Sequence, residues 1–190
     1  ARFNNPGAGF AQGAAYVYER NWGGPNNWGQ FKKLVAEDGV SGDIFGDAVA
    51  IDGDTIVIGA ASDDASAGAD QGAVYVFRRN EGGADNWGQN AKLQPVDASP
   101  ADRFGDAVAV SGSTILGGAP FVDDAGGQDQ GAAYIFVDQD YTWEQSAKPT
   151  ANDGNATDAF GYSVAVSGDF LVVGSRFDDT TATDTGSAYL

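Results

Sequence analysis

Aspartate is the residue type whose spacing in this sequence could perform chemistry. After an apolar run, an aspartate pair and then a single aspartate recur three times: Asp63, Asp64 and Asp70, then Asp123, Asp124 and Asp129, then Asp178, Asp179 and Asp184. Carboxylates that converge from a glycine-rich loop suit Ca²⁺, which takes about 6–8 oxygen ligands. These nine residues therefore predict a Ca²⁺ site. The alternative is structural, because aspartate also caps turns and accepts backbone N–H bonds.

The residue types on which most enzymes rely are missing. The sequence contains no His, no Cys and no Met. Without His or Cys there is no catalytic triad, no thiol nucleophile and no zinc-binding spacing. No glycine-rich loop ends in a lysine that could hold a phosphate. Two aspartates could act on a glycosidic bond, but aspartate is too abundant here for proximity to indicate this. We therefore predict that the protein is not an enzyme.

The charge balance excludes two classes of partner. Twenty-seven acidic residues against 10 basic ones give a formal net charge of −17. Such a surface repels the phosphates of nucleic acids and anionic lipids, so we expect no nucleic-acid partner. No apolar run approaches the roughly 18 residues of a membrane helix, so we expect no membrane insertion. The acidic excess favours cations, solubility or a salty extracellular setting, and the alternative is an ordinary solvated surface.

Three short motifs recur in a fixed order and belong to the elements that must position the aspartates. Phe-Gly followed by alternating Val and Ala begins at Phe45, Phe104 and Phe160, with steps of 59 and 56 residues. A glycine-led apolar run begins at Gly13, Gly72, Gly131 and Gly186. Trp-x-Gln-x-x-Lys begins at Trp28, Trp87 and Trp143, each 17 residues before the next Phe-Gly. The chain is therefore an internal repeat.

Each repeat predicts four β-strands. The first strand follows Phe-Gly, and a tight turn containing Gly leads to a second strand that is apolar on both faces. The glycine-led run forms the third strand, and Trp-x-Gln-x-x-Lys forms the fourth. We expect the three repeated phenylalanines to pack between units. The predicted fold is all-β, with four-stranded antiparallel blades of a β-propeller or a propeller-like array.

The sequence of the repeat resembles that of the FG-GAP family. Phe-Gly is followed by Gly-Ala-Pro, which stands in full at residues 118–120, and by Gly-Ala-Ala and Gly-Ser-Arg in the other two copies. The family includes the propeller of integrin α subunits and many bacterial surface proteins. The resemblance implies an extracellular or cell-surface location and a binding or adhesion role, with a protein or a glycan as ligand.

The calcium loop of integrin-type repeats does not carry over to this sequence. In those repeats the ion lies in an Asp-rich loop between Phe-Gly and Gly-Ala-Pro. Here the corresponding stretch is a short turn such as residues 52–54, which is too short to wrap an ion. Any Ca²⁺ would therefore use the different loop between the second and third strands.

The repeat boundaries predict how the chain could associate. We interpret residues 1–190 as one repeat domain with a partial blade at 13–44, full blades at 45–103 and 104–159, and a partial blade at 160–190. This is about three blades, whereas closed propellers usually have about 4–8. The array should stay open unless further repeats of the same chain or other copies complete it. Exposed strand edges pair readily, so the alternative function is a structural subunit that assembles into a filament or ring.

Two further residues are candidates for surface roles. Trp22 lies outside the repeated tryptophan set, in a Gly- and Asn-rich loop, and we predict that it contacts a ligand. Asn155 begins the sequon Asn-Ala-Thr in a predicted loop, which indicates an N-glycosylation site.

Overall fold

The computed structural model describes residues 11–64, 68–125, 127–179 and 183–190, and within them the chain forms β-strands and no helix. The strands are β1 (Ala15–Arg20), β2 (Trp28–Leu34), β3 (Val49–Asp52), β4 (Thr55–Ala60), β5 (Ala73–Arg78), β6 (Gly88–Leu93), β7 (Ala107–Ser111), β8 (Thr114–Ala119), β9 (Ala132–Gln139), β10 (Thr142–Ala147), β11 (Phe160–Ser167), β12 (Phe170–Ser175) and β13 (Ser187–Tyr189). The described part contains no helix long and apolar enough to cross a membrane.

The strands form four antiparallel sheets in which each strand pairs with its neighbours in sequence. We call the sheets blade one (β1-β2), blade two (β3-β4-β5-β6), blade three (β7-β8-β9-β10) and blade four (β11-β12-β13). The prediction of an all-β fold with four-stranded antiparallel blades is confirmed by the two complete sheets. The turns between first and second strands place Gly53, Gly112 and Gly168 at φ of +54° to +55°, where a side chain would be strained.

Neighbouring blades pack face to face through apolar side chains that alternate along the strands. In β4, Ile56 and Ile58 join a core with blade one, whereas Val57 between them joins a core with blade three. This alternation is why the second strand is apolar on both sides. The phenylalanines of the Phe-Gly motif are buried between the blades, as predicted. Phe45, for example, packs edge-on against Tyr75, with ring centroids 5.3 Å apart.

The two outermost faces of this stack remain exposed in the described part of the chain. Val110 on β7 is covered by blade two and is 9% exposed, whereas its counterpart Ile51 on β3 is 62% exposed. Leu116 on β8 is covered by blade four and is fully buried, whereas its counterpart Val172 on β12 is 39% exposed. We call the exposed side of β3 at Val49 and Ile51 the head face, and the exposed side of β12 at Phe170 and Val172 the tail face.

Backbone segments of adjacent blades approach one another where glycines leave room. The first glycine of each third strand forms a parallel bridge with the phenylalanine that opens the next blade: Gly13 with Phe45, Gly72 with Phe104, and Gly131 with Phe160. A Cβ on Gly72 would lie 2.2 Å from the Phe104 carbonyl oxygen. At the end of the second strand, a Cβ on Gly118 would lie 1.9 Å from the Gly161 carbonyl oxygen. The repeated glycines are therefore required by blade-to-blade contact.

We expect Gly118→Ala to destabilise the fold, because its Cβ would push blades three and four apart. Forced overpacking of this kind costs about 1–3 kcal/mol of unfolding free energy. Gly112→Asn is the matched control, since a Cβ there meets nothing within 4 Å and Asn tolerates a positive φ. Urea unfolding should give a lower midpoint for Gly118→Ala than for the control. Equal midpoints would contradict this account of the glycines.

Candidate functional site

Because the strands of each blade are antiparallel, the loops and turns that join them lie at two opposite ends of the stack. The loops after β4, β8 and β12 lie at one end together with the connections that enter β3, β7 and β11, and we call this the loop end. The turns after β3, β7 and β11 and the loops after β1, β5 and β9 lie at the opposite end, the turn end. The nine aspartates predicted from the sequence and Asn155 lie at the loop end, whereas Trp22 lies at the turn end. The predicted residues therefore do not form one site.

At the loop end, one aspartate of each loop caps the backbone of another. The Asp64 carboxylate accepts the N–H of Asp70 at 2.9 Å, and Asp70 has a φ of +53°. The same bond joins Asp123 to the Asp129 N–H at 2.9 Å and Asp179 to the Asp184 N–H at 2.6 Å. These six aspartates thus stabilise a left-handed backbone turn, which is the structural role that aspartate has in loops.

The loop hydrogen bonds also correct the alignment of the aspartate pairs. The backbone carbonyl of Asp63 accepts the N–H of Gly72, and the equivalent carbonyls belong to Val122 and Asp178. The counterpart of Asp63 in blade three is therefore Val122, and the pair Asp123-Asp124 is shifted by one position relative to the other two pairs. Matching the pairs by sequence alone hid this substitution.

In blade two, Asp63 belongs to a polar cluster at the loop end. The Tyr75 hydroxyl lies 2.8 Å from a carboxylate oxygen of Asp38 and 2.7 Å from one of Asp63. The Lys92 ammonium lies 2.7 Å from Asp38 and 3.0 Å from Asp63. Burial and the hydrogen bond to Asp63 raise the pKa of Tyr75, so its hydroxyl stays protonated. Burial lowers the pKa of Lys92, but its bonds to the two carboxylates outweigh this and raise it.

Blade three keeps this cluster but changes one member. Lys148 lies 2.8 Å from Asp97 and 3.3 Å from Asp124, the extra aspartate that follows the cap. Because Val122 replaces the aspartate that pairs with Tyr75 in blade two, the buried Tyr134 hydroxyl has no hydrogen-bond partner among the described residues. Burial and the nearby charge of Asp97 raise its pKa. In blade four the aspartate is present again, and the Tyr189 hydroxyl bonds Asp178 and Asp153.

In blades two and three, the Trp-x-Gln-x-x-Lys motif joins the outer strand to the connection that enters its blade. The Gln89 side chain accepts the Glu37 N–H at 3.0 Å, next to the Asp38 that Lys92 binds. Gln145 accepts the Val96 N–H at 2.9 Å in the same way. Sequence reasoning identified this motif without its role, since the partners lie about 50 residues away.

The geometry of the loop end does not assemble a metal centre from the described side chains. Within residues 11–64, 68–125, 127–179 and 183–190, no group of three or more Asp, Glu, His or Cys side chains could hold a metal ion. Asp63 faces Tyr75 and Lys92, while Asp64 points to a backbone N–H. These engaged side chains do not match the oxygen cage that Ca²⁺ requires. The Ca²⁺ site stays a prediction from the sequence.

The two candidate surface residues occupy exposed positions. Trp22 is 49% exposed and packs edge-on against Phe31 with ring centroids 4.9 Å apart. It occupies the same turn position as Glu81 in blade two, so it falls within the repeat after all, as a substituted residue. Asn155 is exposed, and its amide donates to the Asp153 carbonyl at 3.0 Å. Ligand contact by Trp22 and glycosylation of Asn155 stay predictions.

A cleft of about 500 Å³ opens at the loop end among blades two, three and four, and the sequence analysis missed it. Its lining combines aromatic and charged side chains: Asp47, Arg103, Asp106, Phe121, Tyr162, Arg176 and Phe177. The sequence signal that could have indicated this cleft is that its residues differ from those at the equivalent positions of the other repeats. Position 121 corresponds to Ser62 in blade two, and Tyr162 replaces the aspartate found at 47 and 106. Because the fold needs the shared residues, such substitutions indicate a local role.

Three buried aspartates cap the connections that enter each blade. Asp43 accepts the Val40 N–H at 2.6 Å, Asp102 accepts the Ser99 N–H at 2.7 Å, and Asp158 accepts the Asn155 N–H at 2.7 Å. Burial raises the pKa of Asp43 to about 6, although the Val40 bond lowers it. Burial likewise raises the pKa of Asp102.

We expect the fold to lose stability as the pH rises through about 6, partly because of Asp43. Its folded pKa lies above the unfolded value of about 3.9, so its contribution is full below the unfolded value and disappears above the folded one. The loss from Asp43 should be about 1–3 kcal/mol between pH 4 and pH 7.5. Urea unfolding at both pH values should show a smaller difference for Asp43→Asn, which cannot titrate. The control is Asp169→Asn at an exposed position, which should show the same pH difference in unfolding free energy as the wild type. If Asp43→Asn also shows the full wild-type difference, this role of Asp43 is refuted.

Comparison with known proteins agrees with the geometry. The family model of the FG-GAP repeat matches residues 28–77, 87–136 and 143–190. Each matched segment begins at or beside the outer strand of one blade and reaches the third strand of the next, so the family unit spans a blade boundary. A search of curated proteins found no match to the chain. With three successive matches over most of its length, and with the resemblance seen in its motifs confirmed, this chain belongs to the FG-GAP repeat family.

Proposed function

We propose that this chain is a non-enzymatic, extracellular binding or adhesion module that presents a protein or glycan ligand site at its loop end. The observation that carries the proposal is the convergence of three blades at that end, where the cleft collects residues that differ between copies. Ligand sites in repeat arrays form where loops from several units share one surface. The proposal also agrees with the FG-GAP repeat family, which is generally non-enzymatic.

The electrostatics support the same proposal. The ammonium and carboxylate groups of the loop-end clusters bind each other, as in the contacts of Lys92 with Asp38 and Asp63. Burial and neighbouring carboxylates raise the pKa values of the tyrosine hydroxyls in these clusters, so the hydroxyls stay protonated and are poor proton donors to a substrate. Groups held in this way stabilise loops. The net charge of −17 keeps the surface hydrated and the protein soluble.

Blocking each end of the stack separately tests the ligand site. The natural chain has no Cys, so Asn152→Cys at the loop end and Asp169→Cys at the turn end would each provide a single attachment point for polyethylene glycol. Both residues are exposed. On an array of surface proteins and glycans, the loop-end conjugate should lose at least tenfold in binding, and the turn-end conjugate should bind like the unmodified chain. Binding lost only through the turn end, or no binding to the array, would refute the proposal.

A second candidate function, assembly into a ring or filament, is favoured by the two exposed end faces. Inside the stack, the same two kinds of surface pack on each other. Val57 and Val76 of blade two, on the side equivalent to the tail face, share a core with Phe104 and Val110 of blade three, on the side equivalent to the head face. The tail face at Val172 and the head face at Ile51 repeat these two surfaces. We propose that the tail face of one copy packs on the head face of another. Further repeats of the same chain could cover these faces with the same kind of apolar contact.

An apolar groove beside β1 strengthens this candidate. The groove has a volume of about 520 Å³ and is lined by Val17, Leu34, Val49 and Ile51. Apolar side chains from the tail face of another copy would fill it.

Sedimentation velocity at increasing protein concentration tests the assembly. We expect species larger than the monomer, and a shift of at least tenfold in apparent dissociation constant for Ile51→Asp and for Val172→Asp. A buried charge without a partner would oppose the face-to-face contact. The matched control is Val96→Asp, because Val96 is exposed but lies on neither end face. A monomer at every concentration, or an equal effect of the control, would refute assembly through these faces.

A further inference from the structure

The cleft at the loop end is lined by both charged and aromatic side chains. It brings two of the 10 basic residues of the chain, Arg103 and Arg176, beside three aromatic rings. The Arg103 guanidinium lies 5.5 Å from the ring centre of Phe121. The Arg176 guanidinium lies 4.7 Å from the ring centre of Tyr162 and 5.0 Å from that of Phe177. Such stacking fixes the planes of the guanidinium groups.

Several residues of the cleft stand at positions where the copies of the repeat differ. Arg103 corresponds to Ile44 and Ala159, and Arg176 corresponds to Ala61 and Pro120. The blades fold equally well with either set, as the matching strands and bridges show. Folding therefore does not account for these two arginines and their aromatic neighbours, which meet where blades two, three and four share one surface.

The cleft also contains a polar group without a bond. The Nε–H of Arg103 is buried and has no hydrogen-bond partner among the described residues. Leaving a buried donor unsatisfied is unfavourable, and more so for a charged group. A terminal nitrogen of the same guanidinium lies 3.4 Å from Asp106, which holds the side chain in the lining.

The charges of the lining indicate an uncharged ligand. Arg103 and Arg176 are balanced by Asp47 and Asp106, so the cleft has no net charge. The chain as a whole carries −17, and this field repels a polyanion or an acidic peptide. An uncharged ligand escapes the repulsion and can use both the guanidinium donors and the carboxylate acceptors.

We propose that the cleft binds an uncharged pyranose unit of a glycan, an inference that rests on the proposed binding function and specifies its ligand. Tyr162 and Phe177 are each more than one third exposed and offer ring surface to the apolar C–H face of the sugar. Guanidinium N–H groups of Arg103 and Arg176 donate to hydroxyl oxygens, and Asp47 or Asp106 accepts from hydroxyl groups. A volume of about 500 Å³ lies within the usual range for small-ligand sites, about 300–1,000 Å³.

Saturation-transfer NMR with defined sugars tests this proposal on the whole chain. The probes are the methyl glycosides of glucose, galactose and mannose, with galacturonic acid and an acidic tripeptide for comparison. At least one neutral glycoside should bind, and Tyr162→Ala and Arg176→Gln should each weaken that binding at least tenfold. Tyr141→Ala is the matched control, because Tyr141 is exposed at the turn end. Unfolding midpoints of all variants check that the fold persists.

Three outcomes would overturn the proposal: no neutral glycoside binds at 50 mM, the acidic probes bind in the cleft more tightly, or the two cleft variants bind like the control. These results are separable from those of the end-blocking experiment. Array binding that is blocked at the loop end, together with no glycoside binding, would leave the binding module intact and remove only the sugar. An array without any ligand would refute the module itself.

Discussion

The structure depends on one close approach, the contact between the phenylalanine that opens each blade and the glycine that opens the third strand of the blade before it. The parallel bridge of Gly72 with Phe104 leaves no room for a side chain on the glycine. The adjacent backbone bond, from the Phe104 N–H to the Gln71 carbonyl at 3.0 Å, fixes the register between blades. Burial of the phenylalanine ring then follows, because its backbone is already held against the neighbouring sheet.

Polar contacts at the loop end also fix one chain segment against another, here through charged side chains. Lys92 binds the connection that enters its blade through Asp38 and binds its own blade through Asp63. These groups are partly buried, so their attraction is screened less than that of a surface pair. The scaffold thus uses its aspartates and lysines to orient loops, and this leaves the residues that differ between copies available for recognition.

Much of the fold could be predicted from the sequence, because the repeat itself records it. Phe-Gly, the glycine-led run and Trp-x-Gln-x-x-Lys lead to three of the four strands, and alternating apolar residues indicate which faces are buried. The candidate site could not be predicted in the same way. The aspartates indicated a metal, yet Asp64 caps a backbone N–H and Asp63 pairs with Tyr75. The cleft joins Arg103 to Arg176 across 73 residues, and no spacing rule connects positions from different blades.

The glycine bridges have a consequence for cooperativity. Each bridge joins a blade only to its immediate neighbour, so the array behaves as a one-dimensional chain of coupled units. Blades two and three are supported on both sides, whereas blades one and four have one neighbour each in the described chain. Unfolding should therefore begin at blades one and four and spread inward. A molecule that bridges blades two, three and four would hold blade four in register with its neighbours.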